Sequence, residues 1–206
     1  DIRIINNGID AGNINKITPG KNLLEKFRRG KEHDLVLLSV AGHIRQKNIG
    51  TILSVISALK SMGKNPFLIN AGFGHLTQEI KGLIKKYKLE GNVNLAGKVS
   101  HDVVISLIKS VDAVIMLSDR TIFDIVLLEA SACGVPIITD LSGGNGEILK
   151  GYEGLIEADK SNPNDTAELI IRELCGGRVG RNKNTKFIFT LEKMTSGYEN
   201  IYGERI

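Results

Sequence analysis

Short apolar runs of strand length alternate with helical patterns along most of this chain, and that alternation leaves few folds open. The runs are Leu35–Ala41, Pro66–Ala71, Asn92–Ala96, Ala113–Leu117, Pro136–Thr139 and Gly154–Glu157. The segments that follow them, Lys47–Ser61, Leu76–Lys88, Asp102–Ser110, Asp124–Cys133, Asn145–Lys150 and Pro163–Leu174, read as helices. In Lys47–Ser61 the apolar Ile49, Ile52, Leu53, Ile56 and Leu59 share one face of a 3.6-residue period. Asn162 is the expected N-cap of the helix that opens at Pro163. Repeated strand–helix units of this size predict an α/β fold. It should be a doubly wound, Rossmann-like parallel sheet of about six strands with helices on both faces. In such sheets ligands bind at the carboxyl ends of the strands, so the candidate loops follow Ala41, Ala71, Ala96, Leu117 and Thr139.

A chain of 206 residues is long enough for one sizeable core. Residues 1–175 are expected to form it. A basic, glycine-rich stretch, Cys175-Gly-Gly-Arg-Val-Gly-Arg-Asn-Lys-Asn184, reads as a flexible linker, placed at 176–186. Residues 187–206 then hold a last helix, Phe187–Tyr202, interrupted at Gly197. The opening Asp-Ile-Arg-Ile-Ile-Asn-Asn-Gly is not a signal peptide; it reads as a strand and turn already inside a fold, so the chain is expected to be the second half of a longer protein.

With 42% hydrophobic and 24% charged residues the composition is that of a soluble globular protein. No apolar run approaches the roughly 20 residues of a membrane helix. The net charge of +4 is mild, its small clusters at 26–31, 81–88 and 178–186 form no dense stripe, and aromatics make up only 5% of the chain. No nucleic-acid partner is expected from that pattern. An anionic small molecule, a membrane surface or plain solvation would each suit such charge. The two cysteines, Cys133 and Cys175, have no zinc spacing, and Cys133 reads as a core residue in an apolar turn. A reducing, cytoplasmic setting is expected, with peripheral contact at the inner membrane face as an extension. No Asp-x-Asp and no Ser/His/Asp or Cys/His pairing stands out, so neither metal nor cofactor is expected.

The densest functional signal is Ser118-Asp-Arg-Thr-Ile-Phe-Asp-Ile-Val-Leu-Leu-Glu129-Ala-Ser-Ala-Cys-Gly134-Val-Pro136-Ile-Ile-Thr139. Glu129 lies in an apolar run that reads as a buried helix, stopped by Gly134. An ionised carboxylate there is costly unless hydrogen-bonded. Two vicinal sugar hydroxyls would supply donors; water or a local basic partner is the alternative. Lys47, after a strand and at a helix start, could reach a diphosphate or remain a surface lysine. The amides of Asp124, Ile125 and Val126 open a helix and could hold phosphate or sugar. Gly72 and Gly74 allow either close approach of backbone to a ligand or a plain turn.

This segment resembles the donor-binding signature of the family 4 glycosyltransferases, the retaining group 1 enzymes of the GT-B fold. Their pattern is Glu-Gly-Phe-Gly, a short apolar run, Glu-Ala, then Gly-x-Pro. Phe123, Glu129, Ala130, Gly134 and Pro136 match it in order and spacing; Thr121 stands at the first glutamate, and Ile122 and Asp124 at the glycines. Four further stretches are similar to the family's: Ile4–Asp10, Ser39–Asn48, Ala71–Gly74 and Gly143–Ile148. Gly97-Lys98-Val99 matches the strand end near the base.

The resemblance implies a nucleotide-sugar-binding C-terminal domain, missing its N-terminal acceptor domain. It would bind a nucleoside diphosphate sugar for retaining transfer to a hydroxyl of a glycan or lipid-linked acceptor, in surface glycan biosynthesis. Lys47 and Glu129 would carry catalysis, Lys47 against the diphosphate and Glu129 on the ribose. The family's arginine falls on Gly42 by an ungapped count, on His43 with a loop one residue shorter, or is supplied by Arg45. Thr121 would face the transferred sugar, Lys98 and Val99 the base, and Glu147 the sugar or its own helix end. Asp119, Arg120 and Asp124 are candidates to compensate for the missing glutamate. The last helix would cross to the other domain through Phe189, Met194, Tyr198 and Tyr202. A non-catalytic partner subunit with a degenerate donor site is the alternative, and a UDP-sugar 2-epimerase a related one.

Overall fold

The structure, a computed structural model, describes residues 3–28, 30–119, 123–182 and 189–203. Six strands form one parallel sheet: β1 (Leu35–Val40), β2 (Pro66–Ala71), β3 (Val93–Gly97), β4 (Ala113–Met116), β5 (Ile137–Thr139) and β6 (Leu155–Glu157). Their order is β3-β2-β1-β4-β5-β6, with helices on both sides. The expected doubly wound α/β fold is what forms, and each predicted strand is found within a residue of its expected ends. β1 and β2 are largely apolar because both faces are covered: Leu37, Leu38, Leu68 and Ile69 are fully buried. β3, an edge strand, is only half-buried along its length.

The crossover helices are α3 (Ile49–Ser61), α4 (Thr77–Lys86), α5 (His101–Ile108), α6 (Ile125–Ala132), α7 (Asn145–Ile148) and α8 (Pro163–Ile170). The apolar face expected of α3 is the one it buries: Ile52, Leu53, Ile56 and Leu59 have no exposed surface. Asn162 caps α8 through its side chain, which accepts from the Asp165 amide. α8 relaxes into a single wider turn over Ile171–Cys175 instead of running regularly to Leu174.

Three expectations need correction. The opening residues make no strand among those described; Ile9 forms an isolated bridge with Thr190, and two short helices follow, α1 (Ala11–Lys16) and α2 (Lys21–Arg28). The last helix, α9 (Leu191–Gly203), runs through Gly197 without a break. Lys47 lies outside α3, because Asn48 takes a left-handed conformation (φ 47°) that separates a 3-10 turn, Arg45–Lys47, from the helix.

The two ends of the chain pack together beside the loop that leads into α6. Phe189 is buried and meets Phe123 edge-on at 5.9 Å. Met194 Sδ accepts from the Gly8 amide at 3.3 Å. These two therefore pack locally, while Tyr198 and Tyr202 remain exposed. Within the segment expected as a linker, Arg181 donates to the Val111 carbonyl at 2.5 Å, and the Asn182 amide to the Gly134 carbonyl at 2.8 Å.

α6 ends in a Schellman motif: the Val135 amide reaches back to the Ala130 carbonyl and the Gly134 amide to that of Ser131. Gly134 holds φ +65°, and a Cβ there would collide with the Asn182 carbonyl. Left-handed strain and that collision add. Gly134→Ala should lower unfolding free energy by about 2–4 kcal/mol, read by urea denaturation; a loss under about 0.5 kcal/mol would show that the 182 region yields freely.

Candidate functional site

The strand order reverses between β1 and β4, so the chain leaves these neighbours toward opposite sides and opens a crevice at their carboxyl ends. The two loops that leave there are joined: the Asp119 amide donates to the Gln46 carbonyl at 2.8 Å. Across the crevice the Lys47 ammonium donates to Asp124 Oδ1 at 2.7 Å. Lys47 thus reaches the start of α6 from the 3-10 turn before α3, and its charge is met by a carboxylate of this chain.

Asp124 sits at the N-cap of α6 but does not cap it; its carboxylate turns to Lys47. Its other oxygen, Oδ2, is buried with no hydrogen-bond partner among the described residues. The first turn of α6 keeps its positive end, with Ile125 exposed and Val126 half-buried. Phe123, half-buried, packs beneath the chain ends. Thr121, with Arg120 and Ile122, lies outside the described residues.

One turn along α6, Glu129 is buried, and its Oε1 lies 2.6 Å from His101 Nε2 at the start of α5. His101 escaped the sequence reading. It and Glu129 are 28 positions apart with no shared motif, so only the fold brings them together.

Exposed Lys98 and half-buried Val99, in the loop before His101, help line a 240 Å³ cavity at the carboxyl ends of β1, β2 and β3. Gly42, Gly72 and the exposed Phe73 also line it. Gly72 is required by close approach of the chain to itself: a Cβ would strike the Ala41 carbonyl. The Gly74 amide donates to Thr77 Oγ1. His43 is buried, its ring nitrogens 2.6 Å from Asn70 Oδ1 and 2.7 Å from Thr77 Oγ1, so it fastens β2 and α4 to the first loop. Arg45 is exposed in the 3-10 turn.

A second polar group gathers at the ends of β4 and β5. Lys160 Nζ lies 3.0 Å from Asp140 Oδ2 and 3.5 Å from Asp119 Oδ1. The hydrogen bond that Lys160 donates to Asp140 raises the lysine's pKa against a smaller opposing effect of burial. Ser118 Oγ, Asp140 Oδ1 and both amide atoms of the buried Asn145 have no partner among the described residues. The rule that ligands sit at carboxyl ends pointed to the loop after β5, though not to Asp140 itself, and did not reach Lys160, which comes from the loop after β6. Glu147 is exposed and accepts from Asn6 Nδ2 at 2.7 Å. Among the described residues no cluster of three or more His, Cys, Asp or Glu could hold a metal, and no helix is long and apolar enough to cross a membrane.

Comparison with known proteins supplies the family. Residues 22–188 match the family model for glycosyl transferases group 1. An uncharacterized glycosyltransferase of Methanocaldococcus jannaschii is 34% identical over 173 residues, 81% of this chain and 47% of that protein. The sucrose-phosphate synthase of Thermosynechococcus elongatus superposes with a TM-score of 0.82 at 21% identity, covering 98% of this chain and 52% of that one. Anabaena HepE in complex with UDP-glucose gives 0.78 at 18% identity, covering 98% and 57%. The chain spans about half the length of the curated relatives it matches.

Neither cysteine bears on the crevice chemistry. Burial pushes the Cys133 thiol up to about 11, against the smaller opposing pull of Lys109 and Arg181, while Cys175 is exposed. A raised thiol pKa keeps the neutral form, so at pH 8 only about one Cys133 in a thousand is thiolate. A disulfide reagent at pH 8 should therefore titrate exposed Cys175 quickly and half-buried Cys133 far more slowly; two equally fast thiols would contradict the raised Cys133 pKa.

Proposed function

The chain belongs to the group 1 glycosyl transferases, and from that premise we propose that it is the donor-binding half of a retaining glycosyltransferase. The crevice between β1 and β4 would take the diphosphate of a nucleoside diphosphate sugar. The observation that carries this reading is the meeting of Lys47 with the open N-terminus of α6 in one crevice. Amides of a helix start and an ammonium are what a diphosphate needs. Glu129, one turn further, would accept from the ribose hydroxyls, and the cavity beside Lys98, Val99 and Gly72 would hold the base. Uracil is the base we favour, since HepE holds UDP-glucose in the same fold.

In the transfer the bond from the anomeric carbon to the diphosphate oxygen breaks and its electron pair leaves with the diphosphate. The acceptor hydroxyl oxygen bonds the same face of that carbon and passes its proton to the departing diphosphate oxygen. This chain's part is electrostatic: Lys47 and the α6 amides stabilise the departing charge. The acceptor, a glycan or lipid-linked hydroxyl of a surface glycan pathway, would be held by a second domain, so that residues 1–175 bind the donor and α9 reaches across through Tyr198 and Tyr202. On that division the donor half alone binds nucleotide without transferring sugar. We place it on the cytoplasmic side.

A second reading, a partner subunit with a degenerate donor site, draws on Asp124. Its carboxylate occupies Lys47 and adds negative charge where a diphosphate would lie.

Calorimetric titration with UDP, ADP and GDP separates the two. Lys47→Ala and Glu129→Ala should each weaken the preferred nucleotide by about ten- to a hundredfold, the worth of a charged hydrogen bond. Asp124→Asn, which removes the charge and keeps the size of the side chain, should tighten it by about three- to tenfold by freeing Lys47. A folded protein that binds none of the three would favour the partner subunit.

A further inference from the structure

The base loop and the ribose carboxylate belong to different parts of the proposed donor site, and one side chain joins them. His101 is the first residue of α5, immediately after the loop that lines the 240 Å³ cavity. Its Nε2 lies 2.6 Å from Glu129 Oε1; the Glu129 side chain is 8% exposed and that of His101 56%. A carboxylate oxygen only accepts, so His101 Nε2 carries the hydrogen between them. The start of α5 adds its positive end on the same side of the carboxylate.

A glutamate turns about three bonds, and a carboxylate meant for two vicinal hydroxyls must be held in one orientation before they arrive. With Oε1 fixed by His101, the remaining lone pairs on both oxygens stay free to accept. We propose that His101 is a positioning residue for the donor's ribose: it aims Glu129 at the 2′ and 3′ hydroxyls and ties that aim to the loop beside the base. This rests on the donor-site reading above. Removing His101 leaves Glu129 buried and free to turn, so recognition of the hydroxyls is lost while contacts to base and diphosphate persist.

The test compares UDP, ADP and GDP with dUDP, dADP and dGDP by calorimetry on the wild type, His101→Ala, His101→Gln and Glu129→Gln. The wild type should prefer the ribonucleotide by about tenfold, one hydrogen bond to a charged acceptor. In His101→Ala that ratio should fall to about twofold or less with the deoxynucleotide affinity little changed. Glutamine can donate to Oε1 from a similar place, so His101→Gln should restore most of the ratio. A role in stability alone would lower both affinities together and leave the ratio intact. If His101→Ala keeps the wild-type ratio while Glu129→Gln loses it, this inference is overturned and the donor reading stands. If the wild type binds a nucleotide without preferring ribose, the aim assigned to Glu129 and His101 is overturned. If the wild type binds none of the six, the donor reading itself falls and takes this inference with it.

Discussion

A parallel sheet buried on both faces has one place for chemistry, and the rest of this molecule follows from that constraint. Its strands must be apolar along their length, so polar side chains collect where the strands stop. The order β3-β2-β1-β4-β5-β6 then reverses once, between β1 and β4, and the loops there part to leave a crevice. Lys47, Asp119 and Asp124 all come from those two loops. Buried polar groups that lack partners among the described residues also gather on that side: Asp124 Oδ2, Ser118 Oγ, Asp140 Oδ1 and the Asn145 amide. Each such group costs about 1–3 kcal/mol if nothing satisfies it, so a cluster of them marks a place that a polar ligand or water would satisfy.

The fold was legible because its signal is periodic and redundant. Six apolar runs and the helices between them are long enough to survive a misplaced residue at either end. The errors fall where local pattern and three-dimensional context disagree. Gly197 looks like a helix breaker, yet α9 continues through it, because Ile5 packs against that position and a bare backbone suits the contact. Lys47 looks like a helix start, yet one left-handed asparagine turns it out of α3. The opening residues look like a strand, yet α9's leading segment at Thr190 offers only a single bridge.

The site was legible in part, for a different reason. Motif residues such as Glu129 and Lys47 are found by spacing along the chain. The pairing of Glu129 with His101 and of Lys47 with Asp124 is found only by folding, since 28 and 77 positions separate the members of each pair. His43 shows the converse. Its place after β1 suggested a ligand role, but both ring nitrogens are engaged by Asn70 and Thr77, which makes it a fastener of the loop. Exposure does not separate the two histidines by role either, because the exposed one touches the candidate carboxylate and the buried one does not.

The Lys47–Asp124 pair sets the balance any donor would meet. Both side chains are largely withdrawn from water, Lys47 at 25% exposure and Asp124 at 10%. Taking one charge from such a pair and leaving the other buried costs about 3–5 kcal/mol. A diphosphate that stripped Lys47 from Asp124 would bear most of that cost itself. It need not do so if the ammonium, with three donors, serves both anions at once. Asp124 Oδ2 would then still lack a partner, and sugar hydroxyls are the donors a nucleoside diphosphate sugar brings nearest to it. On this argument the aspartate at a family glycine position and the threonine at the family's first glutamate are one change rather than two. The carboxylate proposed to meet the sugar would then stand three residues along the chain, its charge held by the same lysine that is proposed to hold the diphosphate.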